Sequence, residues 1–253
     1  MRNATAPDIS APGPVLPVPD PGEERGFRLA NLLEETSPAA RRARVEAATR
    51  PVLPALQPLL PDGRLPKGAV IEVAGDTGLL LALAAGPAAA APTVWTAAIA
   101  MPTLGLAAAR GYGLPWERLL VADTPGDRWS EVASVLAGAC EIILLDPPLP
   151  PRPRELKRLE ARLRTTGTTL LTTTPWPSAA LRLTTTTPTW HGLGDGHGAL
   201  RSRTIDAHCT GRGRATRPRT TRLLLPDENG SVSAAPAAAA TGTVPATGTA
   251  ATG

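Results

Sequence analysis

Between residues 69 and 165, short apolar runs alternate with segments of helical periodicity, and this alternation constrains the fold more than any other feature. The apolar runs lie at residues 69–74, 93–99, 118–122 and 141–145. Helices are predicted after them, at residues 78–86, 102–111, 128–138 and 153–165. Strands that alternate with helices at this spacing imply βαβ units. We therefore predict an α/β fold with a mostly parallel sheet flanked by helices.

The pattern changes after residue 167, where short threonine- and arginine-rich runs replace the alternation. Segments such as TTLLTTT and TRLLLP are separated by glycine and proline. Because β-branched threonine suits strands, we expect this C-terminal half to add antiparallel strands to one edge of the sheet.

Composition divides the chain into four predicted parts. These are a disordered proline-rich N-terminus at 1–25, a helical lead-in and connector at 26–66, an α/β domain at 67–228, and a disordered Ala/Thr/Gly/Pro tail at 229–253. No apolar stretch resembling a signal peptide opens the chain. No run is long enough to span a membrane.

The lead-in is predicted to contain two helices, at 26–35 and 38–49. Ser37 followed by Pro38 indicates the start of the second, because serine is a favoured N-cap and proline fits the first helical position. Four prolines between residues 50 and 66 then predict an extended connector.

The strand at 69–74 runs into a glycine turn, Gly75-Asp76-Thr77-Gly78, at the place where a phosphate-binding loop would begin. Such a loop reads GxxxxGK[ST], and its lysine and hydroxyl hold the phosphates and magnesium. If Gly75 were the first glycine of this pattern, the second glycine would fall on Leu80, the lysine on Leu81 and the hydroxyl residue on Ala82. The turn is too short to surround a phosphate, and Asp76 adds negative charge where an anion would lie.

Three segments of this region resemble RecA-type recombinases. They are LPKGAVIEVAG followed by LLLAL, ARGYGLPWERLLVADTPG at 109–126, and CEIILLDPP at 140–148. The resemblance implies a RecA-like core in which Asp146 ends the Walker B strand and Met101 replaces the catalytic glutamate. Loop length, lysine and glutamate are thus altered together, which predicts that ATP hydrolysis is lost. For Asp146, the alternative interpretation is a strand-end acid that caps the next turn.

A narrower resemblance is to the actinobacterial ImuA and ImuA-prime proteins, RecA-like accessory factors of SOS mutagenesis with a degenerate P-loop. The residues that carry it are Trp176, Arg182, Trp190, the stretch Gly192–Gly198, and Gly211-Arg212-Gly213. The resemblance implies a role in translesion synthesis at damaged DNA. It also implies two partners, a polymerase-like ImuB-type protein and an error-prone C-family polymerase.

Arginine is concentrated near the C-terminus, where residues 201–222 contain seven arginines and a single acid, Asp206. The candidate contacts to nucleic acid or a partner are Arg201, Arg203, Arg212, Arg214, Arg217, Arg219 and Arg222. Arginines of this kind contact phosphates without reading sequence. The alternative is a solvated surface, which also applies to the basic run at 152–164.

Metal and redox chemistry have little support in the sequence. His191 and His197 flank a glycine-rich turn containing Asp195, without a third ligand at metal-site spacing. Cys140 and Cys209 fit no zinc or redox motif and suit a reducing cytoplasm. We therefore expect a cytoplasmic protein, nucleoid-associated if it contacts DNA, with no membrane contact and no metal.

Three functions remain open on the sequence. The first is a non-catalytic RecA-like adaptor in DNA-damage tolerance, which needs no cofactor. In this case Gly75, Asp76, Thr77, Gly78 and Asp146 form a vestigial nucleotide site. The second is an ATP-binding RecA-like recombinase or regulator, with phosphate held by backbone amides and magnesium by Asp146. The third is a nucleic-acid-binding module built on the same scaffold.

Overall fold

The computed structural model describes residues 37–186, 188–193 and 198–236. The chain divides into two compact units, residues 1–47 and 48–253. The described part of the first unit is nearly all helix α1 (Pro38–Ala48). The Ser37 hydroxyl oxygen accepts a hydrogen bond from the Ala40 N–H at 3.1 Å, as expected of an N-cap. The predicted disorder at 1–25 and helix at 26–35 lie outside the described residues.

The second unit alternates strands and helices as the sequence predicts. Its strands are β1 (Thr49–Pro51), β2 (Arg64–Pro66), β3 (Val70–Ala74), β4 (Thr96–Ile99), β5 (Leu119–Ala122), β6 (Ile142–Leu145), β7 (Thr169–Thr172), β8 (Leu181–Thr185), β9 (Thr189–Leu193), β10 (Gly198–Gly211), β11 (Arg219–Leu224) and β12 (Ser233–Ala234). Its α-helices are α2 (Thr77–Ala90), α3 (Leu106–Gly111), α4 (Trp129–Leu136) and α5 (Pro153–Thr166). Short 3-10 helices lie at Pro54–Leu59, Pro61–Gly63, Trp116–Arg118, Gly126–Arg128 and Gly213–Ala215.

Ten of these strands form one sheet in the order β12-β11-β10-β8-β3-β7-β6-β4-β5, with β9 paired to β10. The six strands from β8 to β5 are parallel to one another. On its other side β8 pairs antiparallel with β10, and β9 to β12 pair antiparallel as well. The α/β class, the mostly parallel sheet and the antiparallel C-terminal strands agree with the prediction.

The C-terminal half does more than add antiparallel strands at one edge, because β7 and β8 also belong to the parallel part of the sheet. β7 inserts between β3 and β6, and β8 pairs parallel to β3 on its other side. Helix α5 is the crossover that brings β7 back parallel. The segment 173–180, with the fully buried Trp176, links β7 to β8.

Each face of the sheet is covered by its own apolar cluster. Helix α2 is buried almost throughout, and its leucines pack on one face with Ile71 and Leu144. The other face carries α4 and α5, where Trp129, Leu159 and Leu163 are buried. Parallel strands covered on both sides must be apolar on both sides, which explains the uninterrupted burial of β6 and β7.

The connector at 50–66 is not extended, as the sequence had predicted, but folded into the core. The strands β1 and β2 pair antiparallel, and two 3-10 helices lie between them. Proline stands at the first position of both 3-10 helices, where its fixed φ is favourable. Four leucines of the connector have no solvent exposure, namely Leu56, Leu59, Leu60 and Leu65.

The C-terminal boundary also differs from the predicted one. Residues 229–236 are described, and β12 within them pairs with β11 at the end of the sheet. The rest of the predicted tail, 237–253, lies outside the described residues. None of the helices in the described ranges combines the length and the apolar character that a bilayer span requires.

Candidate functional site

The glycine turn joins β3 to α2 at the carboxyl edge of the parallel strands. Gly75 has a φ of +73°, a left-handed conformation that glycine adopts without strain. Asp76 follows with extended backbone angles as the N-cap of α2. Its carboxylate oxygen Oδ1 accepts a hydrogen bond from the Leu79 N–H at 3.0 Å. The first turn of α2 is therefore capped by a side chain of the turn itself.

The Asp76 carboxylate is also paired with Arg203 of β10. The Arg203 Nη2 atom lies 3.0 Å from Asp76 Oδ1, and the two side chains are only 15% and 5% exposed. Arg203 Nε donates to the Leu225 carbonyl at 2.5 Å. The guanidinium carbon lies 5.7 Å from the centre of the Trp190 ring, within cation–π range. Charge, hydrogen bonding and stacking together fix this arginine against the glycine turn.

Gly78 and Tyr112 lie beside the ion pair, and together with Asp76 and Arg203 they form what we name the glycine-turn cluster. A Cβ atom at Gly78 would lie 3.1 Å from both Arg203 Nη2 and Asp76 Oδ1, and 3.2 Å from the Tyr112 hydroxyl. A side chain at this position would therefore crowd the ion pair. Burial raises the pKa of the Tyr112 phenol, and the nearby Arg203 charge partly offsets this effect. The phenol is thus kept neutral beside the pair.

These contacts decide what the turn can bind. A helix N-terminus attracts anions because its N–H groups are unpaired and its dipole is positive there. Here the anion is supplied by Asp76, whose charge is in turn matched by Arg203. The position that a phosphate group would need is therefore filled by an internal carboxylate with its own cation.

Asp146 of the predicted nucleotide site and Met101, which by resemblance replaces the catalytic glutamate, follow parallel strands at the same edge of the sheet. Met101 follows β4 and is 6% exposed within the apolar cluster around α2, where it has no acid–base chemistry to offer. Asp146 follows β6 and is exposed. Its Oδ1 accepts from the hydroxyls of Thr173 at 2.6 Å and Thr174 at 3.3 Å. Asp146 thus binds the segment after β7, 27 residues further along the chain, whereas the capping interpretation had placed its partner in the turn directly after β6.

The seven C-terminal arginines do not form one surface patch. Arg203 points inward to Asp76, and Arg222 makes a two-pronged contact with Asp206 through bonds of 2.7 and 2.9 Å. The hydrogen bond from Arg222 lowers the pKa of Asp206. Arg212 donates to the Pro177 carbonyl at 3.0 Å. The exposed members are Arg201, Arg212, Arg217, Arg219 and Arg222, and the side chain of Arg214 lies outside the description.

The residues of the narrower resemblance have structural contacts. Trp176 is fully buried, and its backbone N–H donates to the Glu72 carboxylate at 2.9 Å. Arg182 donates to the same carboxylate at 3.1 Å and to the Trp176 carbonyl at 2.9 Å. A Cβ atom at Gly211 would lie 2.3 Å from the Ala180 carbonyl oxygen, so the backbones touch there. These contacts hold the link between β7 and β8 against the sheet.

Of the two histidines considered as metal ligands, the structure describes His191. His191 lies on β9, and its Nε2 is 2.8 Å from the Thr204 hydroxyl. His197 and Asp195 lie outside the described residues. Within 37–186, 188–193 and 198–236, no three His, Cys, Asp or Glu side chains are grouped as metal ligands would be.

Sequence reasoning missed the pairing of Asp76 with Arg203, although it selected both residues separately. It gave Asp76 to the nucleotide site and Arg203 to a nucleic-acid surface. The sequence feature that points to this pairing is an acid, Asp76, at the N-cap position of the buried helix α2. Such a carboxylate needs a cation, but the sequence does not indicate which of many arginines supplies it.

The chain was compared with models of protein families and with curated proteins. A family model described as the MT3502 N-terminal domain matches residues 58–178, just under half of the chain. The matched region contains the glycine turn, Asp146 and α5, and ends before Arg203. No curated protein matches the chain.

Proposed function

We propose that this chain is a non-catalytic RecA-like accessory protein that works as an adaptor in DNA-damage tolerance, in SOS mutagenesis and translesion synthesis. The observation that carries the proposal is the Asp76–Arg203 ion pair at the N-terminus of α2. It occupies the place where a nucleotide-binding protein of this architecture would hold phosphate. The proposal therefore assigns the scaffold to binding other proteins, without turnover of its own.

The cost of opening the pair supports the loss of nucleotide binding. To reach the α2 N-terminus, a triphosphate would have to displace a 5%-exposed carboxylate from its cap and cation. The displaced carboxylate would lose both its cation and the Leu79 N–H that it caps. The glycine turn has no lysine to bind the incoming phosphates.

The remaining edge residues support the same conclusion. Hydrolysis needs a group that activates water, and the buried Met101 cannot do so. Asp146 already accepts two threonine hydroxyls on one oxygen.

Calorimetric titration with ATP and magnesium, with and without single-stranded DNA, tests the proposal directly. We expect no heat of binding up to millimolar ATP, and no phosphate release in a parallel hydrolysis assay. Micromolar binding would contradict the proposal and favour the ATP-dependent recombinase or regulator.

The adaptor role is tested separately, through the partners that the resemblance to ImuA-type proteins implies. Tagged chain recovered after DNA damage should bring with it a polymerase-like ImuB-type protein and an error-prone C-family polymerase. Recovery without any translesion component would contradict the adaptor role, whatever the result with ATP.

One observation favours the ATP-binding alternative. Asp146 is exposed at the carboxyl edge of the sheet, and both threonine hydroxyls bind its Oδ1 atom; α/β proteins commonly bind ligands at this edge. If this carboxylate held magnesium, Asp146→Ala would abolish ATP-dependent activity. Under the adaptor proposal Asp146→Ala leaves partner recovery unchanged, so the same variant distinguishes the two.

A further inference from the structure

Helices α4 and α5 enclose a groove on the face of the sheet opposite α2. The groove consists of two cavities of about 200 and 730 Å³. Both cavities are lined by Glu131, Ser134 and Arg158, so they adjoin. None of these residues takes part in the glycine-turn cluster.

One wall of the groove is a row of arginines on α5, which we name the arginine ladder: Arg154, Arg158 and Arg162. They are spaced four residues apart, and all three are exposed. Residues at this spacing lie on one side of a helix, with Cβ atoms about 5–6 Å apart. At 1.5 Å per residue the ladder extends over about 12 Å.

The arginines of the ladder have no ion-pair partner within the described part of the chain. Neither Arg154 nor Arg158 makes an ion pair or side-chain hydrogen bond with another described residue, and Arg162 makes only a 3.4 Å bond to the Ser134 carbonyl. Two glutamates also line the groove, where Glu131 pairs with Arg128 at 3.1 Å and Glu155 accepts from the Arg152 N–H at 2.9 Å. The three guanidinium groups are therefore available to a ligand, and they outnumber the two carboxylates beside them.

The opposite wall adds an apolar contact point. Val135 of α4 lines the larger cavity and is 73% exposed, the highest value among the exposed large apolar side chains of the described residues. The linings contain no aromatic side chain on which a base could stack. An aliphatic side chain beside free arginines complements a protein segment that carries both acids and an apolar residue.

We propose that this groove binds an acidic amphipathic helix of a partner protein. Carboxylates four residues apart along that helix would match the spacing of the arginine ladder, and an apolar residue beside them would contact Val135. Residues four apart lie on one side of a helix, so a single partner helix can place several carboxylates along the ladder. The proposal rests on the proposed adaptor function, since it specifies the surface through which an adaptor would hold its partner.

The test uses the full chain and a fluorescein-labelled, alanine-rich 15-residue peptide. The peptide carries three glutamates at four-residue spacing and one leucine on the same side, and a second peptide carries glutamine in place of glutamate. Arg158→Glu is compared with Lys157→Glu. Both variants replace one positive charge by one negative charge. Lys157 is also exposed and on α5, but it lines neither cavity, so it serves as the control for position.

Fluorescence anisotropy should show that the wild type binds the glutamate peptide and not the glutamine peptide. We expect Arg158→Glu to weaken binding at least tenfold and Lys157→Glu less than twofold. Arg154→Glu supplies a second variant, should Arg158→Glu fail to give the wild-type circular dichroism spectrum.

Three results would overturn the inference. The first is that the glutamate peptide does not bind. The second is that Arg158→Glu and Lys157→Glu weaken binding equally, which indicates unspecific charge attraction. The third is that a labelled single-stranded DNA binds in place of the peptide and that Arg158→Glu abolishes this DNA binding, which assigns the groove to nucleic acid. ATP titration of the same wild-type preparation reports on the proposed function alone, so the two failures are distinguishable.

Discussion

Asp76 Oδ1 and Arg203 Nη2 lie 3.0 Å apart, although 127 positions separate the two residues in the chain. The contact joins the beginning of α2 to β10, and so connects the parallel part of the sheet to its antiparallel extension. Asp76, which belongs to the predicted nucleotide site, therefore has a structural role.

Replacing Asp76 by alanine should lower the free energy of unfolding by about 3 kcal/mol. The variant loses a helix cap, worth about 1 kcal/mol, and leaves a mostly buried arginine without its anion, which accounts for the remainder. Urea denaturation at neutral pH measures the change. Asp76→Asn is the matched control, because asparagine keeps the cap oxygen and removes only the charge, so it should lose less. A wild-type stability in both variants would contradict a structural role for the pair.

Replacing Gly86 by alanine should destabilise the protein by more than about 2 kcal/mol, although alanine favours a helix interior by about 1 kcal/mol. A Cβ atom at Gly86 would lie 2.4 Å from the Val52 Cα atom, and backbone cannot move aside as a side chain can. Thermal unfolding reports the loss.

Gly138 provides the control for that variant. The nearest atom to a Cβ there is Nη2 of Arg162, an exposed side chain with room to move. Gly138→Ala should therefore change the free energy of unfolding by less than about 1 kcal/mol. Equal losses in the two variants would mean that α2 does not approach the connector as closely as described.

Stability should fall between about pH 9 and pH 11. Burial raises the pKa of both cysteine thiols from the ordinary 9.0 to about 11, so the folded state favours their neutral forms. Their stabilising contribution is complete below pH 9 and is lost as the pH rises through 11. The raised pKa of Tyr112 acts in the same direction.

Urea denaturation across this range checks the alkaline loss, with Cys140→Ala/Cys209→Ala as the comparison. The double variant should be less stable at neutral pH, because small cavities replace the sulfur atoms. Its free energy of unfolding should nevertheless decline less steeply above pH 9. An unchanged slope would show that the thiols titrate alike in the folded and unfolded chains.

Local features of the sequence predicted the regular elements well and the pairing of distant elements poorly. Three predictions that depend on neighbouring residues agree with the structure: the serine–proline start of α1, the apolar runs of β3 and β6, and the helix at 153–165. The insertion of β7 into the parallel sheet depends on a crossover through α5, and threonine-rich composition does not report direction.

The candidate site shows the same division. The sequence identified an altered turn at Gly75 from its length and its missing lysine. It could not identify the arginine that pairs with Asp76, because that choice is made by the register of β10. The α4–α5 groove was also out of reach, since it depends on how two helices pack side by side.

The buried connector changes where the smallest independently stable fragment can start. The sequence predicts that the α/β domain begins near residue 67, so truncation at that point would be expected to leave the domain stable. Such a fragment would lack four leucines with no solvent exposure, and would leave the surface of α2 around Gly86 open to water. Each buried leucine contributes about 1.5–3 kcal/mol, so the four together contribute about as much as the whole free energy of unfolding of a typical domain, roughly 5–15 kcal/mol. Proteolysis and deletion mapping should accordingly place the N-terminal limit of the folded unit upstream of residue 52.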